Sequence, residues 1–143
     1  MRVAIDTNCL IAALTKRHGS CARMVQAWLD GQLEVVASED TAREAEQVLG
    51  RWLTRMVGRR EVDELVKAIR TRTAWVDAPA AITDLSLRDA GDLRMVETAV
   101  AGGARYIVTT DREFLSHRGY DTVEFATPDE VLARLRGAVG SSR

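Results

Sequence analysis

Histidine and cysteine are scarce in this chain, and their scarcity removes several chemistries. Only His18 and His117 are present, both in polar stretches that read as exposed loops, so no Ser/His/Asp relay can be assembled. The two cysteines, Cys9 and Cys21, are too few for a disulfide framework and stand in no CxxC zinc or redox spacing. Cys9 lies on an apolar helix face and reads as a buried, inert thiol. There is no glycine-rich phosphate loop and no GxGxxG. No apolar run approaches the roughly 20 residues of a membrane helix. Met1 runs straight into a strand pattern with no secretory leader, so the protein is expected in the cytoplasm, away from membranes. Neither sign of charge is in excess. The net charge of -1 supplies no overall basic field for nucleic acid, so any RNA contact falls to local clusters such as Arg51, Arg55, Arg59 and Arg60, or Arg70 and Arg72. A net charge this close to zero also leaves association easy. Repeats, low-complexity segments and interdomain linkers are absent too.

What remains is an ordinary globular composition. Apolar residues make up 46 % and charged residues 29 % of 143 residues, enough for one domain with a real core. Arg2 to Ile5 is a short apolar run closed by Asp6, a buried first strand. Leu10, Ile11, Ala13 and Leu14 give helical spacing, and a second helix spans about Ser20 to Leu29, with Gly31 as its C-terminal stop. Leu33 to Ala37 is the second strand. Ser38 is a good N-cap for a helix whose apolar stripe (Ala42, Ala45, Val48, Leu49, Trp52, Leu53, Met56) continues until Gly58. Glu61 to Ile69 forms a further helix, and Ala74 to Val76 a third strand. Asp77 to Gly91 reads as a loop, Asp92 to Ala101 as a helix ended by Gly102-Gly103, and Ala104 to Thr109 as the fourth strand. Thr122 to Phe125 is a short fifth. Pro128 takes the first position of a last helix, and 137–143 is expected to be a disordered polar tail. Strands alternating with helices predict a parallel α/β sheet with right-handed crossovers.

Acidic residues recur at the strand ends. Asp6 closes the first strand, Asp111 follows the fourth, Glu44 lies in the helix after the second, and Asp92 begins a helix after Arg88-Asp89-Ala90-Gly91. In a parallel sheet all strand C-terminal ends open onto one edge, where ligands bind. Each Asp alone has a plain alternative as a helix N-cap. Glu44 and Glu46 sit at opposite edges of the apolar stripe, and periodicity does not choose between them. Glu97 is about 140° around its helix from Asp92 and faces elsewhere. Together, carboxylates converging on one edge repel unless a cation joins them, and hard divalent cations prefer oxygen ligands. The set therefore points to Mg2+ or Mn2+ and to phosphodiester chemistry. Thr7 and Asn8 offer a hydroxyl and an amide that hold Asp6 or a phosphate, or simply cap the helix. Asp89 reaches the same cleft or solvates its turn. A receiver or haloacid-dehalogenase scaffold fits poorly: the only lysines are Lys16 and Lys67, and Asp6-Thr7-Asn8 stands where a DxD would be.

The stretches Val3-Ala4-Ile5-Asp6-Thr7-Asn8-Cys9-Leu10, Ser38 through Glu44 to Leu49, Arg88-Asp89-Ala90-Gly91-Asp92, Ala99 to Ala104, and Tyr106 to Arg112 resemble, in order and spacing, the PIN-domain nucleases. The likeness is to the toxins of bacterial toxin–antitoxin systems in particular, and it covers Met1 to about Leu135. It implies one PIN-like domain over 1–136, a three-layer sandwich of helices around a parallel sheet, and divalent-metal-dependent cleavage of single-stranded or structured RNA. It further implies catalytic and metal-holding roles for Asp6, Glu44 (in preference to Glu46), Asp92 and Asp111. Supporting contacts would fall on Thr7, Asn8, Ser38, Asp89 and Thr110, with a cognate antitoxin protein and a homodimer as partners. Two departures stand out. Leu93 occupies a position that is acidic in many relatives, and Thr110 stands where many have Gly. The rival readings are a catalytically silent PIN-like binding module and an RNA-processing nuclease that is not a toxin.

Overall fold

A computed structural model describes residues 1–53 and 55–141, without the side chains of 52, 53 and 138–141. Six strands form one sheet: β1 (Arg2–Ile5), β2 (Glu34–Ala37), β3 (Ala74–Trp75), β4 (Tyr106–Val108), β5 (Gly119–Tyr120) and β6 (Val123–Ala126). Their spatial order is β3-β2-β1-β4-β6-β5. Every pairing is parallel except β5 with β6. The helices are α1 (Thr7–Thr15), α2 (Ser20–Leu29), α3 (Glu39–Val48), α4 (Arg59–Thr71), α5 (Ala90–Ala101), α6 (Arg112–Ser116) and α7 (Pro128–Ser141).

Side-chain alternation along the central strands explains the layering. Successive residues of a strand point to opposite faces. Val3 and Ile5 of β1, with Tyr106 and Val108 of β4, join a core with Met24, Trp28, Leu49 and Leu65 from the helices on one face. Ala4 and Ile107, one residue out of phase, join the second core with Met95, Val96, Phe114 and Phe125 on the other face. Both faces are covered, so the central strands read as continuous apolar runs rather than alternating ones. The result is the three-layer α/β/α arrangement expected from the sequence.

The structure departs from the sequence reading at three places. The helix expected to run from Ser38 to Met56 is two pieces: α3 ends at Val48 and the chain continues as a π-helical segment, Leu49–Leu53. The helical winding ends at Leu53, so Met56, expected inward on its stripe, lies beyond it in a turn and is 74 % exposed. The strand β5 was not legible, because its two residues carry no period; it is returned by a tight turn with Asp121 at φ 55. Helix α7 continues through Gly137 to Ser141, where a disordered tail is expected. Each further residue of a nucleated helix adds a hydrogen bond, so an interior glycine can be passed at a cost of about 1 kcal/mol. Residues 142 and 143 lie outside the described residues.

Gly103, at φ +67 just past α5, occupies the left-handed region that favours glycine. It turns the chain directly into β4, which sets the strand end beside β1. Among the described residues, no helix is long and apolar enough to cross a membrane.

Candidate active site

The hydrogen bond from the Asp6 amide to the Val108 carbonyl, 2.9 Å, continues the β1–β4 ladder to the ends of both strands. Asp6 stands at the N-cap position of α1, yet its side chain makes no capping hydrogen bond. One carboxylate oxygen instead accepts from the Thr109 hydroxyl at 2.8 Å. Thr109 is fully buried, and its oxygen also accepts the Asp111 amide at 3.1 Å. One hydroxyl thus ties the acid of β1 to the backbone that presents the acid after β4. Asp111 caps α6, accepting from the Glu113 amide at 2.8 Å. That short helix is pinned by Phe114, which is wholly buried and meets Phe125 edge-on with ring centroids 4.8 Å apart.

Asp89, not Asp92, caps α5, with its side chain accepting from the Gly91 amide at 2.7 Å. Asp92 therefore sits in the first turn with its carboxylate uncommitted to the cap. Glu44 faces it from α3. A methyl group placed on Gly91 would lie 2.3 Å from a Glu44 oxygen, so the absence of a side chain at Gly91 is what admits Glu44 to the cleft. Glu46, on the other edge of α3, pairs with Arg70 of α4 together with Glu39. The choice that periodicity leaves open is thus made by packing: Glu44 faces the cleft and Glu46 faces α4.

The carboxylates influence one another's charge. Asp92 is pushed up to about 7, first by burial and then by Asp6, Asp89, Asp111 and Glu44. Burial also raises Glu44, helped by Asp89 and Asp6. Asp6 is raised by burial and by Asp111, against the lowering effect of the Thr109 hydroxyl and the Thr7 and Asn8 amides. No basic side chain is among these leading influences. Among the described residues no three acidic, imidazole or thiol groups stand together as a formed metal cluster. The donors are all oxygen, negatively charged and without an internal cation, and this chemistry fits a hard divalent ion.

The other residues singled out from the sequence lie around these carboxylates. Ser38 is buried, caps α3 in a reciprocal pair with Thr41, and meets the Thr98 hydroxyl at 2.7 Å. Thr7 is buried and lines a cavity of about 30 Å3 with Ile5 and Leu10. Asn8 and Thr110 are exposed. Sequence reasoning missed Thr109; its only signal is a hydroxyl residue continuing a wholly buried strand. Glu97 is buried and accepts the Ile82 amide at 2.8 Å while pairing with Arg94 at 2.8 Å. Glu97 faces away from the acidic ring as expected, and it fastens the 77–89 loop that delivers Asp89.

Gly91→Ala tests the packing directly. The methyl group displaces the flexible end of Glu44 rather than backbone, so the melting temperature should change by no more than a few degrees while divalent-ion binding weakens at least about tenfold, as for lost positioning around a metal. Isothermal titration with manganese measures the second effect, and unchanged affinity would show that Glu44 takes no part.

A family model described as PIN domain matches residues 2–113. Among solved structures, the fold is similar to that in the crystal structure of VapBC2 from Rickettsia felis bound to a DNA fragment from their promoter. The TM-score is 0.60 at 16 % identity, over 87 % of this chain and 97 % of that one. No curated protein matches in sequence.

Proposed function

The chain belongs to the PIN domain family, and from that premise we propose that it is a divalent-metal-dependent endoribonuclease that cleaves single-stranded RNA as the toxin of a toxin–antitoxin pair. The observation that carries this reading is the carboxylate ring: Asp6, Glu44, Asp92 and Asp111, from four separate elements, act on one another with no basic side chain among the leading influences. Mg2+ or Mn2+ would be held by these four residues, directly or through water. When bound, such an ion supplies Lewis-acid chemistry, lowering the pKa of a water and offsetting charge that builds on a phosphodiester.

The chain's own residues do the positioning. Thr109 holds Asp6 from the side and anchors the Asp111 amide. Asp89 takes over the cap of α5, which leaves the Asp92 carboxylate for the cleft. Phe114 keeps α6, and with it Asp111, against the sheet.

The partner in this reading is a cognate antitoxin that covers the cleft and places a basic side chain among the carboxylates. The fold likeness to VapBC2, whose structure is bound to a DNA fragment from its promoter, supports that pairing. The test is induced expression in bacteria with and without Asp6→Asn. Growth arrest by the unmodified protein, relieved by the substitution and accompanied by shortened transcripts, is the expected result. Arrest that survives the substitution would instead point to a silent binding module, and RNA cleavage without arrest to an RNA-processing enzyme.

A further inference from the structure

Beside the carboxylate ring, the facing walls of α3 and α5 enclose an open depression of about 390 Å3, within the size range of small-ligand sites. Asp40, Arg43, Glu44 and Gln47 line it from α3, and Gly91 and Arg94 from α5. We infer that this groove seats the RNA backbone next to the scissile phosphate, with Arg94 as a fixed phosphate contact and Arg43 as a mobile one; the inference rests on the nuclease reading above.

The two arginines are prepared differently. Arg94 is anchored: its Nη1 meets Glu97 at 2.8 Å, and Glu97 is itself buried and held from its other oxygen by the Ile82 amide. One contact on Glu97 leaves the remaining donors of a five-donor guanidinium free for phosphate. Arg43 is loosely held. Among the described residues its one ion pair, 3.3 Å to Glu39, is exposed on both sides, while Glu39 has a shorter pair at 2.6 Å with Arg70. An exposed pair of this kind holds its side chain weakly, so Arg43 can turn to an anion without leaving Glu39 uncompensated. Gln47 adds an amide, which can donate to or accept from a base edge.

Of the arginines expected from the sequence to meet RNA, Arg59, Arg60, Arg70 and Arg72 lie on or just after α4 and do not line this depression. Arg59 and Arg60 pair with Asp63 and Glu64 one turn along α4. Arg70 bridges Glu39 and Glu46, and Arg72 donates to the Leu29 carbonyl at 2.6 Å. A polyanion drawn toward a ring of carboxylates needs cations at its rim; Arg43 shares α3 with Glu44, and Arg94 lines the same depression from α5.

The experiment measures kcat and KM for manganese-dependent cleavage of a mixed-sequence single-stranded RNA across a potassium chloride series. The proteins are unmodified, Arg43→Gln, Arg94→Gln, Arg94→Lys and Arg60→Gln, and manganese thermal shifts are run on each. Arg43→Gln and Arg94→Gln should each raise KM severalfold and reduce the slope of log KM against log salt by about 0.7, the increment for one phosphate contact on a single strand. Kcat and the manganese shift should hold, Arg94→Lys should keep the slope, and Arg60→Gln should change nothing. Should Arg94→Gln fail to fold, Arg43→Gln and Arg94→Lys decide. Cleavage by the unmodified protein with the same KM and slope in Arg43→Gln and Arg94→Gln overturns the groove while leaving the nuclease intact. No cleavage by the unmodified protein overturns the nuclease reading and the groove with it.

Discussion

Asp6→Asn and Asp92→Asn each lower manganese-dependent RNA cleavage by at least about a hundredfold while leaving a cooperatively folded protein. The bound on the effect follows from what outer-shell changes alone cost at metal sites, about ten- to a hundredfold; removing a ligand's charge costs more. Asn keeps the shape of Asp, and at position 6 it still offers an oxygen to the Thr109 hydroxyl, so the β1–β4 junction persists. What it loses is the negative charge that a hard cation requires. Glu44→Gln behaves in the same way, because Glu44 faces Asp6 and Asp89 across the cleft. Glu46→Gln does not, because Glu46 answers to Arg70. Cleavage assays on the four proteins, with circular dichroism melts beside them, separate chemistry from folding. Loss of activity in Glu46→Gln with retention in Glu44→Gln would reverse the assignment.

The melting temperature of the metal-free protein falls as pH rises from about 4 to about 7, and divalent ions reverse the fall. The sign follows from proton linkage. In the unfolded chain Asp92 titrates at an ordinary value, roughly 3.9, whereas in the folded cleft it is pushed up to about 7. Below the lower value both states carry the proton, and the folded state is not penalised. Between the two the folded state holds a proton that the unfolded state has released, so stability drops with each step in pH and levels off above 7. Asp6 and Glu44, raised in the same direction, add to the slope. An ion that binds only the folded cleft stabilises it by mass action, about 2.7 kcal/mol at a hundred times its dissociation constant. For a domain of this size that is a rise of several degrees. Sodium at matched ionic strength does less, since screening is not coordination. Asp92→Asn raises the metal-free melting temperature at pH 8 and blunts both the pH slope and the response to manganese. Thermal shift across pH and manganese measures all of this. A melting temperature indifferent to manganese and magnesium up to roughly 10 mM, ample for a weak oxygen site, would remove the divalent ion from the reading.

Local signals carried the element plan. The helix Ser20–Leu29 has the bounds its apolar spacing predicts, and Val3-Ala4-Ile5 is as buried as an uninterrupted apolar run between two helical layers must be. The placement of Asp6 and Asp111 at the ends of adjacent strands was also legible, because a parallel sheet brings its C-terminal ends to one edge whatever the details of packing. Where the reading failed, the deciding contact was remote in sequence or too short to have a period. The two-residue strand β5 and the π-helical segment after α3 are of the second kind.

By itself, then, the sequence determined which residue types reach the sheet edge, since strand period and helix spacing are properties of neighbouring residues. Tertiary structure alone decided what each of the neighbouring acids does. Glu44 and Glu46 are equivalent by helical angle until Arg70 draws Glu46 away and the bare Cα of Gly91 makes room for Glu44. Asp92 stands at a cap position by sequence, but the 77–89 loop, fastened by Glu97, brings Asp89 to the cap instead. Thr109 became visible only with β1 beside β4, because its hydroxyl serves an aspartate 103 residues away.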